Sequence, residues 1–367
     1  MQYLRTRMRL YPVQMRATVI RALVSVVFAA AALAAEPVVE TFPVPAGQLP
    51  TEIARQGDVM TFVSWKNWPS IEPHLGRVTP NGRIQLQPLQ KDHMPGLIAQ
   101  SPDGSLWLSD GKKSVLWHVS PAGKAKQVNV GRTTLGIAVD ADGSIWTTHP
   151  DSGEITRYSA AGQPQSQWFV GRKRGPAGGA PSMAIPKPRM GPTPVPQRKK
   201  DERVLTKEER KKRTLDARPS WIVLGPDQAL WFSEPTWRNI GRVTAGGQMS
   251  SYKYPREWGE PRRIVAGRDV LWFALTRLPA LGRITTEGEV STVELPYGVG
   301  ALASDSQGRV WFSDAPGAKL GYLDTDGKVH ELALPKNPRL IRSMAEGPDG
   351  AMWFADQAAK VIGRIKL

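Results

Sequence analysis

The chain has 367 residues, 13 Trp, no Cys and a formal net charge of +16. The lack of Cys excludes a disulfide framework, a thiolate metal site and a Cys nucleophile. The charge is no nucleic-acid footprint: residues 1–34 hold five Arg and no acid, residues 172–218 hold fifteen Lys and Arg against five acids, and what is left carries only +1.

Residues 15–35 read as a secretory signal. Met15, Arg16 and Arg21 give a basic start, Ala22 to Leu33 is an apolar run, and Ala32-Leu33-Ala34 suits signal peptidase. Translation from Met15 gives a signal of ordinary length, and cleavage after Ala34 leaves 35–367 as the mature domain. The pattern predicts export to the periplasm or secretion, with no membrane span once the signal is removed.

Next comes an alternating stretch, Val39-Glu40-Thr41-Phe42-Pro43-Val44-Pro45, which reads as a single strand with no hairpin partner nearby. A weak repeat follows at 50–90, with Pro50-Thr51-Glu52-Ile53 and Val59-Met60-Thr61-Phe62. From there a ten-residue phrase recurs, Ser-Pro-Asp-Gly-Ser-Leu-Trp-Leu-Ser-Asp at 101–110 and Gly-Pro-Asp-Gly-Ala-Met-Trp-Phe-Ala-Asp at 347–356. Variants lie at 140–149, 225–234, 266–275 and 305–314. Its Trp falls at 107, 146, 231, 272, 311 and 353, with gaps of 39, 85, 41, 39 and 42. A period near 40 residues, with Asp-Gly turns before an apolar aromatic strand, predicts a β-propeller of four-stranded blades. The repeated Trp reads as packing between blades.

The chain is therefore expected to be all-β, a seven-bladed β-propeller. Its last repeat ends at the third strand, Ile362-Gly363-Arg364-Ile365, so the strand at 39–45 is expected to complete the last blade and close the ring. The long gap holds a basic Pro/Gly-rich insertion, 172–218, placed on the channel-mouth face. It reads as a candidate dock for an acidic envelope partner, and Glu208 with Lys212 and Glu209 with Arg213 favour a helix in its second half.

At that face the ends of the second strands bring Ser64, Asp110, His149, Glu234, Leu275, Asp314 and Asp356. The starts of the first strands bring Thr51, Gly96, Leu135, Ser220, Arg262, Gly300 and Arg342. The expected mouth is a ring of carboxylates and arginines with aromatic walls, suited to a small ligand. Arg262, Arg263, Trp65, Trp237 and Trp258 are its candidate ligand-binding residues, with Trp68 in the same loops. Asp356 and Asp314 are candidate ligands for a hard cation such as Mg²⁺. His149 is the one histidine of the ring and the candidate base. His74, His93, His118 and His330 read as exposed.

The phrase at 347–356 with Ile362-Gly363-Arg364-Ile365, the latter echoed at 75–78, 240–243 and 281–284, resembles the streptogramin B lyase (virginiamycin B lyase) family. The likeness runs over essentially all of 38–367 outside the insertion. It implies a seven-bladed propeller that opens a cyclic depsipeptide by elimination at an ester. In such a reaction Mg²⁺ polarises the carbonyl and a His removes the α-proton. That His stands two residues before the first-strand Ile of the last blade. Here Leu340-Ile341-Arg342-Ser343-Met344 puts Arg342 at its position, and Arg cannot act as a base near neutral pH. The expectation is an exported, monomeric propeller that binds a small or peptide-like ligand at the mouth. The alternatives are a Mg²⁺-dependent carbon–oxygen lyase with a relocated base, and a scaffold docking through the insertion. Nucleic acid is not favoured as a partner.

Overall fold

The computed structural model describes residues 37–66, 71–170, 218–314, 319–334 and 339–367. The signal pattern of 1–34, Trp68 and residues 172–217 of the insertion lie outside them. No described helix is long and apolar enough to cross a membrane.

The described residues form seven four-stranded antiparallel sheets, each built from strands consecutive in the chain except the last. The innermost strands are Leu49–Gln56, Pro95–Gln100, Ile137–Val139, Ile222–Leu224, Pro261–Ala266, Val299–Ser304 and Ile341–Glu346, which define blades 1 to 7 in order. The last sheet joins Ile341–Glu346, Met352–Asp356 and Val361–Lys366 to the N-terminal strand Val38–Pro43. That strand pairs antiparallel with Val361–Lys366, from Val38↔Lys366 to Pro43↔Val361. Glu40 accepts from Arg364 Nε at 2.7 Å, and Phe42 stacks on Trp353 with centroids 5.6 Å apart. The expected closure is present, and the strand begins one residue earlier than its sequence pattern suggests.

The repeated phrase is a fastener. In blade 7, Asp349 accepts from Trp353 Nε1 at 3.0 Å and from Arg364 Nη1 at 2.9 Å, while the guanidinium lies 5.2 Å over the indole. Blade 4 repeats this with Asp227, Trp231 and Arg242. Asp sits in the turn, Trp on the second strand and Arg opposite it on the third, so one aspartate anchors both neighbours. The Phe that follows the Trp, or Thr61 in blade 1, faces the Gly of the third strand: Phe62 with Gly76, Phe232 with Gly241, Phe273 with Gly282 and Phe354 with Gly363. A Cβ at any of these glycines would overlap the ring. In blades 2 and 7 the first turn needs Gly104 and Gly350, whose φ of 80° and 73° L side chains rarely adopt.

The core lies between blades. Trp231 and Ile240 of blade 4 pack with Ile264, Leu271 and Phe273 of blade 5. Trp353 and Ile362 of blade 7 pack with Ile53 and Phe62 of blade 1. The Trp residues therefore act as inter-blade wedges, as their spacing predicts.

At the channel face the innermost strands start irregularly. The register shifts between Pro50 and Glu52, Pro95 and Ile98, Pro261 and Ile264, Val299 and Leu302, and Ile341 and Ser343. An extra residue of this kind re-aims a side chain out of the pleat. Here it turns the strand starts toward the axis.

Candidate functional site

A cavity of about 560 Å³ opens at this face, and residues from every blade line it. Six of the seven expected strand starts are in its wall: Thr51, Gly96, Leu135, Arg262, Gly300 and Arg342. Trp65 and Trp221 add aromatic surface, and Leu97, Leu275 and Leu340 add aliphatic surface.

Its floor is a bridge across the ring. Arg263 of blade 5 donates from Nη2 to Glu52 of blade 1 at 2.6 and 2.8 Å. Ser343 of blade 7 donates to Glu52 Oε1 at 2.8 Å and accepts from Arg263 Nη1 at 3.3 Å. Glu52, Arg263, Leu97 and Trp221 also line the channel beyond, a second space of about 560 Å³ walled by the innermost strands. The bridge thus stands where mouth and channel meet.

The expected ring of carboxylates is not in this wall. Asp110, Glu234, Asp314 and Asp356 are buried, at 0%, 2%, 8% and 0% exposure. The cause is local: in blades 2 and 7 the loop after the second strand folds over the strand end, and the carboxylate turns aside to accept its amides. Asp110 accepts from the amides of Met94, Lys112 and Lys113 and from His93 Nδ1 at 2.8 Å. His93 is buried by this contact, against the exposed position its sequence suggests. Asp314 accepts from Lys319 N at 2.9 Å. Asp356 accepts from Leu340 N and Ala359 N at 3.0 Å and from the buried Arg339 at 2.9 Å. Glu234 is the exception, since its Oε2 has no partner. Burial pushes its carboxyl up to about 8, so it is protonated at neutral pH.

Magnesium takes oxygen ligands in octahedral array, usually one or two carboxylates free to turn to it with water completing the shell. The carboxylates of Asp356 and Asp314 sit in two different blades, and those of Asp356 are held by a cation and amides. Among the described residues the one carboxylate lining the mouth, Glu52, is held by Arg263. Among the described residues no cluster of His, Asp and Glu suits a metal. This donor set does not fit the ion.

His149 is enclosed in blade 3. Its Nδ1 donates to Thr133 O at 2.9 Å, and Nε2 accepts from Thr147 and Thr156 hydroxyls at 3.0 and 3.1 Å. Burial lowers its pKa to about 4. The imidazole is neutral, fully hydrogen-bonded and absent from the cavity wall. Trp237 and Trp258 are half-buried and lie outside that wall too, and Trp258 stacks on Tyr254 with centroids 5.6 Å apart. Of the expected site residues, the structure gathers Arg262, Arg263, Arg342 and Trp65. Glu52, Ser343 and Trp221 are additions. Their signal is the repeat itself: each directly precedes the apolar core residue of its first strand (Ile53, Met344, Ile222), as Arg263 precedes Ile264.

Comparison with known proteins supports this frame. Residues 203–367 match the model of the virginiamycin B lyase family. A streptogramin B lyase structure superposes with a TM-score of 0.69 at 22% identity, covering 90% of this chain and 98% of that one. A catalytically inactive virginiamycin B lyase from Staphylococcus aureus, solved with quinupristin, gives 0.69 at 20% identity, covering 90% and 100%. The WD40 propeller domain of Doa1 gives 0.60 at 8% identity, covering 89% and 95%. No curated protein matches the chain by sequence. With the family's model matched over 203–367 and the fold over nine-tenths of its length, this chain is a virginiamycin B lyase-like seven-bladed β-propeller.

Proposed function

We propose that this propeller binds a small or peptide-like ligand in the mouth cavity and does not turn it over. The observation that carries the reading is the composition of the cavity wall. Trp65, Trp221 and aliphatic side chains offer an apolar surface, and Arg262 and Arg342 supply directional donors. The signal pattern of 1–34 supports action outside the cytoplasm.

The match to the lyase family over 203–367 favours a second reading, a carbon–oxygen lyase acting on a cyclic depsipeptide or lactone. That chemistry needs a group able to take a proton at the mouth. No His lines the cavity, a guanidinium such as that of Arg342 is no base near neutral pH, and Glu52 is tied to Arg263.

Two measurements test the choice. Crystals are soaked with linear and cyclic aromatic dipeptides, and a streptogramin B depsipeptide is incubated with the chain, with and without Mg²⁺, before mass spectrometry. Peptide bound beside Trp65 and Trp221, with an intact depsipeptide ring, is the expected result. Metal-dependent ring opening, or peptide bound only outside the cavity, overturns the reading.

A further inference from the structure

The charge in the mouth is unevenly placed. Among the described residues three arginines and one carboxylate line the cavity, and Arg263 is matched by Glu52. Arg262 and Arg342 are both exposed, and neither makes an ion pair or hydrogen bond among the described residues. Glu260, two positions before Arg262, does not line the cavity. Two positive charges are therefore left over.

Their placement is specific. Each lies at an irregular strand start, in blade 5 and in blade 7, and is thereby turned toward the axis. Blade 6 stands between those blades, and its corresponding segment is Gly298-Val299-Gly300. A Cβ on Gly298 would meet nothing within 4 Å, and Gly300 brings no side chain either. In this segment only Val299 carries a side chain, and it is buried. The aromatic surface lies on other blades, with Trp65 on blade 1 and Trp221 on blade 4.

We propose that the mouth selects an amphipathic anion. An oxyanion head would sit between Arg262 and Arg342 over the glycines of blade 6, and an aromatic body would lie against Trp65 and Trp221. Guanidinium groups favour carboxylate, phosphate and related oxyanions, because their planar donors match paired oxygens. The proposal rests on the mouth being the ligand site.

The test uses two fluorescent probes with the same body. 8-Anilinonaphthalene-1-sulfonate carries an anionic head, and N-phenyl-1-naphthylamine lacks it. The full chain is expected to bind the sulfonate about tenfold or more tightly than the neutral probe. In the Arg262→Gln, Arg342→Gln double variant the preference is expected to fall below about twofold, with the neutral probe's affinity unchanged. Equal affinities in the native chain overturn the anion inference and leave the mouth reading standing. A preference that survives in the double variant also overturns it, because charges elsewhere, including the basic segment 172–218, then carry it. If neither probe binds, or if a folded Trp65→Ala, Trp221→Ala variant binds both as before, the mouth reading itself fails.

Discussion

Glycine 241 shows how closely one residue can be specified here. Phe232 fills the space a Cβ would take, so Gly241→Ala overpacks a closed core. The expected loss is about 1–3 kcal/mol in denaturant unfolding, with partial recovery in Gly241→Ala, Phe232→Leu. Asp356 predicts a different cost. Its carboxylate pairs with the buried Arg339 and accepts two backbone amides, so Asp356→Ala removes all three contacts and loses about 3–5 kcal/mol. The same loss is expected with Mg²⁺ and with chelator, and thermal melts in both buffers check it.

Two buried groups set opposing pH dependences. His149 has its pKa lowered from 6.5 to about 4, so the unfolded chain binds more protons in that window. Stability from this residue is full above 6.5 and falls by about 3 kcal/mol as pH drops toward 4. Glu234 has its pKa raised from 4.5 to about 8, so the folded chain binds more protons there. Stability from this residue is full below 4.5 and falls as pH rises to 8. Urea midpoints should therefore decline between pH 6.5 and 8 in the native chain, and Glu234→Gln should flatten that decline. His149→Asn should flatten the acid limb instead.

The blade is the scale at which the sequence was most readable. Turn, Trp strand and Gly-Arg strand each carry residue types that a single geometry demands, so one phrase repeated near every 40 residues reveals the fold. The orphan strand near residue 40 was legible because the last repeat visibly lacks a fourth strand. The site was legible only in part. Strand starts were correctly aimed because the shifted register exposes them whatever their identity, as for Arg262 and Arg342. Strand ends were not, because whether an aspartate faces a channel or folds onto a loop depends on amides distant in the chain. Asp110, for example, accepts from Met94. The Glu52–Arg263 pair joins residues 211 positions apart, and only the ring brings them together. One expectation follows for the closing strand. A chain lacking residues 1–43 leaves Val361–Lys366 as an open edge, and should melt lower and self-associate. Moving 37–45 to the C-terminus should restore the native melt and a single species in light scattering.

In the whole molecule, contacts between neighbouring blades are supplemented, among the described residues, by a link across the axis. Glu52, Arg263 and Ser343 tie blades 1, 5 and 7 through largely buried charged groups. A double-mutant cycle with Glu52→Gln and Arg263→Gln should give a coupling of about 1–3 kcal/mol. A value near zero would mean that water replaces the bridge without cost, and that the floor of the mouth contributes nothing to holding the ring.

The closure also fixes how the molecule responds to tension. Val38 pairs with Lys366, so both ends of the propeller leave from the same end of one antiparallel strand pair. Pulling the termini apart loads those hydrogen bonds one at a time, from Val38 and Lys366 inward to Pro43 and Val361, and never all together in shear. The ring should open in optical tweezers by peeling at low force, with a first short extension step confined to blade 7. A propeller that resists heat as a closed circle would then be mechanically weak along a single seam.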